Sequence, residues 1–267
     1  NPMASHMSVM RSSLLGSLVN VLRHNLARKA TRVRVFEIGR DFQRDPAAVD
    51  GALSVRGIHQ PARLAGLAYG SADALQWGVK ERPLDFFDVK GDVEALFAPK
   101  TVRFEPATHP ALHPGRAARV EVDGRAVGVI GELHPRWRQA YELPSAPLLF
   151  ELELDALQQR ALPQFGAIPR HQSVWRDIAV IGNEAVTHDA LIAAIHAAPT
   201  PLVRSAQLFD IYKPQAGGSD IAAGERSMAV RLELLDDDNT LTDERIDAAV
   251  AQVLDSLGSR LGVRLRG

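Results

Sequence analysis

Trp175-Arg-Asp-Ile-Ala-Val-Ile181 begins on charged residues and ends on apolar ones, a pattern typical of a strand that enters a protein core. The patterns that follow it are a helix at 187–197, strands at 208–213 and 227–234, a long helix that begins after Thr242, and a short basic segment at 263–266. Read in order, they give β-α-β-β-α-β. This order predicts a ferredoxin-like split βαβ sheet in about 100 residues.

The preceding residues predict a different domain. Leucines and valines recur at helical spacing between Ser12, a candidate N-cap, and Lys29, so one face of this helix should be buried. Residues 32–38 alternate as a strand does, and Asp123-Gly124 favours a hairpin turn. The sum is an α+β domain, an antiparallel sheet with helices packed on it.

The boundary between the two domains is predicted close to residue 162. The segment 162–169 contains two prolines and a glycine, which punctuate secondary structure. We therefore expect one domain at 1–162 and a second at 163–267.

Composition limits the possible functions. The chain has 267 residues and no cysteine, which excludes disulfides and cysteine-based zinc sites. No apolar run approaches the roughly 20 residues of a membrane span, so no membrane partner is expected. From Phe165 onward, ten basic residues face fourteen acidic ones. Any nucleic acid must therefore be bound by a local patch rather than by bulk charge.

Short segments along the whole chain resemble one protein family. Those in the C-terminal domain are Arg176–Val180, Leu208–Tyr212, Ser227–Leu232 and Thr240–Ile246. They resemble the anticodon-binding domain of bacterial phenylalanyl-tRNA synthetase β subunits. Those in the first domain are Met10–Leu18, Arg34–Gly39, Asp85–Val93, Leu112–Gly115 and Gly128–Pro135. They resemble the catalytic-like module of the same subunit, and they occur in a consistent order.

The resemblance implies the C-terminal part of a β subunit. In this family an α2β2 heterotetramer in the cytoplasm charges tRNA with phenylalanine, using ATP and Mg²⁺. The expected partners are the α subunit, a second β subunit and phenylalanine tRNA. Domain 1–162 would be a non-catalytic class II synthetase-like domain, and domain 163–267 would be the ferredoxin-like anticodon-binding domain. This chain is expected to carry no catalytic residue, metal or cofactor of its own, because ATP and phenylalanine belong to the α subunit.

The candidate RNA-binding residues lie in the second domain. The first and last strands of a ferredoxin-like sheet are neighbours, so we expect Arg176 to lie near Arg264 and Arg266. The full predicted set is Arg170, Arg176, Tyr212, Lys213, Arg264 and Arg266. The basic residues would bind phosphates, and Tyr212 would stack on a base, as Trp175 or Phe209 also could. The alternative is that the aromatic residues are core and the arginines are merely solvated.

The candidate subunit interface lies on the first helix. Leu14, Leu18 and Leu22 share one apolar face, which would contact the α subunit or a central helix bundle. The alternative is that this face belongs to the core of its own domain.

Two other functions remain open on the sequence. The first is a stand-alone metal hydrolase using His109 and His113, which have the i,i+4 spacing of helical zinc ligands. Pro110 and Pro114 would break such a helix, so no metal site is predicted. The second is a regulatory RNA-binding protein that carries the ferredoxin-like module.

Overall fold

The computed structural model describes residues 8–52, 54–159, 162, 165, 168–214 and 221–266. The chain separates into two compact units, Asn1–Leu162 and Pro163–Gly267, called unit 1 and unit 2 below. Within the described ranges, no helix has both the length and the apolar composition needed to cross a membrane.

Unit 1 is a six-stranded antiparallel sheet with helices on both faces. Its helices are α1 (Leu15–Leu26), α2 (Phe86–Phe97), α3 (Pro135–Ala140) and α4 (Leu154–Gln158). Its strands are β1 (Val33–Arg40), β2 (Gln43–Arg44), β3 (Ile58–His59), β4 (Ala62–Tyr69), β5 (Val102–Pro106), β6 (Leu112–Val122), β7 (Arg125–Leu133) and β8 (Leu148–Glu153). The sheet order is β1-β4-β8-β7-β6-β5, and β2 and β3 form a separate ribbon.

Strand β4 explains why both faces of this sheet are covered by helices. Its residues Leu64 and Ala68 belong to the core that includes α2, whereas Ala65 and Leu67 belong to the core that includes α1. Because successive side chains of a strand point to opposite faces, an almost wholly apolar strand must be buried on both.

Three details of unit 1 differ from the sequence prediction. Helix α1 begins at Leu15 without a side-chain cap, so Ser12 is not its N-cap. The helix ends at Leu26, and Lys29 beyond it has a left-handed φ of 66°. The sequence also leads us to expect a loop at 41–58, but this segment contains strand β2 and, at Ile58, the first residue of its partner β3.

Unit 2 has the element order that the sequence predicts. Its elements are β9 (Val174–Asn183), α5 (His188–His196), β10 (Val203–Tyr212), β11 (Glu225–Leu234), α6 (Asp243–Leu261) and β12 (Arg264–Leu265). The sheet order is β10-β11-β9-β12 with every pair antiparallel, so the first and last strands are neighbours. The predicted α+β class and ferredoxin-like order are confirmed.

Candidate nucleic-acid interface

The sheet of unit 2 has one face packed against helices α5 and α6 and a second face on which no described helix of this unit lies. Val180 of β9 and Val230 of β11 share a core with Leu191 of α5 and Val253 of α6. Side chains alternate along a strand, so the odd-numbered residues of β9 and β11 lie on the opposite face. We call that side the open face.

A row of paired residues crosses the open face. Tyr212 of β10 pairs with Ser227 of β11, Ser227 pairs with Ile181 of β9, and Ile181 pairs with Arg264 of β12. Three strand spacings separate the two ends of the row, a distance of about 14 Å. Ser227 and Ile181 in the middle of the row are buried, at 3% and 2% exposed, whereas Tyr212 and Arg264 at its ends are exposed. The row is therefore covered at its centre and accessible at its two edges.

Arg266 bridges this surface. Its backbone N–H donates to the carbonyl of Ala179 on β9, yet its guanidinium lies 5.4 Å from the ring centroid of Tyr212 on β10. The side chain therefore crosses the middle of the sheet, where the paired residues Ala179 and Ala229 are small. A cation over an aromatic face is held by the ring quadrupole.

A second arginine–aromatic pair lies further along the same face. The guanidinium of Arg231 lies 5.3 Å from the ring centroid of Phe209. Phe209 occupies a β-bulge, because Leu208 pairs with Val230 while Asp210 pairs with the next residue, Ala229. The bulge brings the half-exposed ring of Phe209 beside Arg231.

Carboxylates hold two of these guanidinium groups in fixed orientations. Arg231 donates two hydrogen bonds of 2.7 Å to Asp177, which lower the pKa of that carboxyl. Arg264 donates to both oxygens of Glu225 at 2.6 and 2.8 Å. This contact, with a hydrogen bond from the backbone N–H of Ala222, lowers the pKa of Glu225 to about 2. The open face thus carries oriented planar groups but little excess positive charge.

Arg176 lies apart from the other predicted RNA-binding residues. It pairs with Leu232, whose side chain belongs to the helix-covered core, and its Nη2 lies 3.7 Å from Asp243 at the start of α6. Arg264 instead pairs with Ile181, about 17 Å further along β9. The prediction that Arg176 lies near Arg264 and Arg266 is therefore wrong, because Arg176 occupies the opposite face and the opposite end of the strand.

The remaining predicted residues flank the open face. Lys213 follows Tyr212, and its Nζ lies 3.1 Å from Glu184. Arg170 is exposed and precedes β9, and Trp175 is half-exposed at the far end of that strand. Sequence reasoning missed Arg231, although this charged residue lies between the regularly alternating apolar residues Val230 and Leu232 of β11, which is a signal for the open face.

The three leucines predicted at a subunit interface are buried within unit 1. Leu14, Leu18 and Leu22 are at most 2% exposed, and they share a core with Ala65, Leu67 and Leu149 of the sheet. A contact with another subunit does not fit this burial, because these side chains are already covered by β4 and β8. The alternative reading, a core of the domain itself, agrees with the structure.

Exposed apolar side chains of unit 1 lie elsewhere. A groove of about 610 Å³ runs between β1 and α2, and we call it the β1–α2 groove. Its walls include Phe36, Ile38, Leu96 and Phe150. Phe36 is 72% exposed although it is aromatic and lies within a strand. In the segment between β4 and α2, Leu75 and Trp77 are almost fully exposed.

The histidines considered as metal ligands stabilise turns. Nδ1 of His109, His113 and His134 accepts a hydrogen bond from the backbone N–H two residues further along, at 3.0–3.2 Å. Each of the three precedes a proline. Among the described residues, no group of three or more His, Asp or Glu side chains could hold a metal ion. The metal-hydrolase alternative therefore has no ligand set in this part of the chain.

Comparison with known proteins matches both units to the family that their sequence segments resemble. Residues 1–154 match the family model described as the phenylalanyl tRNA synthetase beta chain CLM domain, and residues 169–266 match that of a ferredoxin-fold anticodon binding domain. The phenylalanine–tRNA ligase beta subunits of Cupriavidus pinatubonensis and Ralstonia nicotianae are 51% and 52% identical over the whole chain. The chain spans about a third of their length, 33% and 34% respectively.

A solved pyrrolysyl tRNA synthetase from Desulfitobacterium hafniense matches with a TM-score of 0.38 and 14% identity, over 55% of this chain and 47% of that one. This similarity is too low to support an inference about the chain.

Proposed function

This chain belongs to the family of phenylalanine–tRNA ligase β subunits, and on that premise we propose that its open face binds the anticodon region of phenylalanine tRNA. The observation that carries the proposal is the pair of arginine–aromatic contacts, Arg266 with Tyr212 and Arg231 with Phe209. Unpaired bases in RNA loops stack on aromatic rings and guanidinium planes, while arginine also donates to phosphates. Arg264, Lys213 and Arg170 would complete the surface by contacting the backbone on either side.

Unit 1 would contribute to subunit assembly rather than to catalysis. The intact ligase would be an α2β2 enzyme of the cytoplasm that charges tRNA with phenylalanine, with ATP and Mg²⁺ bound outside this chain. In support, the three arginines in or next to β1 have structural partners, and Arg40 donates to the carbonyl of Gln60. Arg32 donates to the carbonyls of Ser71 and Ala72 at 3.1 and 3.0 Å, and Arg34 donates to Asp92 at 2.7 Å.

The subunit-contact surface would be the β1–α2 groove. Aromatic and aliphatic residues are enriched where proteins meet, and Phe36 and Ile38 project from an edge strand without cover from any described element of unit 1. Leu14, Leu18 and Leu22 would support this surface from the opposite side of the sheet. The occupant would be another subunit of the ligase.

Filter binding tests the tRNA proposal. The chain is titrated against phenylalanine tRNA and a non-cognate tRNA, with Tyr212→Ala and Arg266→Ala as variants. Each is expected to weaken cognate binding about tenfold, since stacking on one aromatic residue contributes about 1–3 kcal/mol. Arg176→Ala is the matched control, because it removes a half-exposed arginine from the opposite face of the same sheet.

The possible outcomes show whether tRNA binds the open face or another surface. Weaker tRNA binding by Tyr212→Ala and Arg266→Ala, with unchanged binding by Arg176→Ala, supports the open face as the binding surface. Loss only in Arg176→Ala places the contact at the start of α6 and contradicts the proposal. Equal binding of both tRNAs leaves an RNA-binding module without tRNA specificity, which is the regulatory-protein alternative.

A further inference from the structure

A second pocket of unit 1, of about 340 Å³, opens beside the N-terminus of α1. It lies on the sheet face that carries α1, because Arg63 shares a strand face with Ala65 on β4, and Glu151 and Glu153 share one with Leu149 on β8. The polar residues that line it include Ser13, Asp41, Arg63, Glu151 and Glu153. We call it the acidic pocket.

Negative charge exceeds positive charge among these side chains. Arg63 Nε lies 3.1 Å from Asp41 Oδ2, and its Nη1 lies 3.5 Å from Glu153 Oε1. Glu153 also accepts a hydrogen bond of 2.7 Å from Arg125, so Asp41 and Glu153 are paired and the excess charge rests on Glu151. Glu151 accepts only from neutral groups, the N–H of Leu14 at 2.7 Å and the hydroxyl of Ser13 at 3.1 Å. Burial raises the pKa of Glu151, and the nearby charge of Asp41 raises it further. Arg119 also lines the pocket, but its guanidinium is hydrogen-bonded to Glu105 and Glu121.

Asp41 carries the observation that points to a ligand. Its side chain is 1% exposed, and Oδ2 accepts hydrogen bonds from Arg63 and Gln43. Its other oxygen, Oδ1, has no hydrogen-bond partner among the described residues. Buried carboxylate oxygens almost always have a donor, so this atom, in a side chain that lines the pocket, is the exception to be explained.

We propose that the acidic pocket binds a guanidinium or ammonium group, which donates hydrogen bonds to Asp41 and Glu151. Three carboxylates would repel phosphates and other anions. A metal ion is disfavoured because no described set of three His, Asp or Glu side chains could hold one. An organic cation with several N–H donors would both donate a hydrogen bond to the unpartnered oxygen of Asp41 and offset the excess negative charge of the pocket. The group could belong to a free small molecule or to a basic side chain of a polypeptide.

Calorimetry with agmatine, which carries both a guanidinium and an ammonium group, tests this proposal on the 267-residue chain. Saturable binding to one site is expected, with 1,4-butanediol as the uncharged control. Asp41→Asn and Glu151→Gln should each weaken binding about tenfold or more, the effect of losing one charge-assisted hydrogen bond. Gln at 151 keeps an oxygen that can accept from the N–H of Leu14, so the contact at the start of α1 should remain. Glu94→Gln, on α2 at the other face of the sheet, is the matched control and should bind as the parent does.

Proton release separates a bound cation from a merely structural effect. A cation beside Glu151 lowers the pKa of that carboxyl, so agmatine binding should release protons at pH values between the bound and the free pKa, seen as heats that depend on the buffer. Glu151→Gln should abolish the release. An arginine-centred pentapeptide that binds more tightly than agmatine would identify a polypeptide source, and weaker binding would identify a free cation. Absence of saturable binding, or equal binding by parent, Asp41→Asn and Glu151→Gln, would overturn the proposal.

Discussion

The ion pair between Arg264 and Glu225 is the best-defined contact of the open face at the scale of single residues. Hydrogen bonds from Arg264, then from the N–H of Ala222, bring the pKa of Glu225 from 4.5 to about 2. The folded value lies below the unfolded one, so the pair stabilises unit 2 above about pH 4.5 and this contribution is lost as the pH falls towards 2. Carboxyl ¹³C NMR should show this low midpoint.

The variant Arg264→Gln should move that midpoint back towards the ordinary value of 4.5, whereas Arg266→Gln should leave it in place. The control is informative because Arg266 contacts the ring of Tyr212 instead. A midpoint near 4.5 in the parent chain would contradict the fixed orientation of Arg264 at the edge of the proposed RNA-binding surface.

His109 gives a second prediction at this scale. Burial lowers the pKa of His109 below 6.5, and its Nδ1 must stay unprotonated to accept from the N–H of Ala111. The unfolded chain therefore binds the proton more tightly, and stability should fall as the pH drops from above 6.5 towards the folded pKa. In urea melts, His109→Asn should flatten this part of the pH profile, since Asn accepts the same turn hydrogen bond without titrating. An unchanged profile would assign the pH dependence to another group.

At the scale of elements, α1 shows how far sequence reasoning reaches. Helical spacing identified the face of Leu14, Leu18 and Leu22 as buried, because periodicity reports which side chains avoid water. It did not report what covers them, since β4 and β8 are distant in sequence. The start of the helix was missed for the same reason: the group that accepts from the N–H of Leu14 is Glu151, 137 residues away.

The strands of unit 2 show the same limit. Alternation and order predicted the sheet and the neighbouring first and last strands, which depend only on local pattern. The position of Arg176 depends on register, which places Arg264 opposite Ile181 and follows from how α6 returns the chain to the sheet. The bulge at Phe209 likewise depends on pairing with β11 and has no local signal in β10.

Helix α1 supports a stability prediction with an internal control. Leu18→Ala removes a buried side chain of the α1 core and should lower the free energy of unfolding of unit 1 by about 2–5 kcal/mol. Val21→Ala, on the exposed side of the same helix, should change it by less than about 0.5 kcal/mol. Urea unfolding, followed by hydrogen exchange of the α1 amides, measures both. A small effect of Leu18→Ala, comparable with that of Val21→Ala, would mean that the face of Leu14, Leu18 and Leu22 is not core and would restore it as an interface.

At the scale of the whole molecule, the two units carry separate cores and different surfaces. Unit 2 has its own cluster of buried residues, and unit 1 has one on each side of its sheet. Unit 1 exposes Phe36 and Trp77, and the open face of unit 2 carries the contacts of Arg231 with Phe209 and of Arg266 with Tyr212. Neither feature is confined to one unit, since Arg136 lies over the ring of Trp137 in unit 1 and Phe165 of unit 2 is 92% exposed. The proposed roles of assembly and RNA binding therefore depend on the location of these groups within each unit.

Charge across the chain sets the salt dependence of RNA binding. From Phe165 onward acids outnumber bases, and carboxylates already hold Arg231 and Arg264. We therefore expect only about two or three phosphate contacts, and a slope of log K against log salt of about −2 for single-stranded RNA. Filter binding between about 50 and 200 mM salt measures this slope, and Arg266→Ala should reduce its magnitude by less than one. A slope steeper than about −5 would require a basic surface that the open face lacks. In that case electrostatic attraction, rather than base stacking, would be the main source of binding affinity.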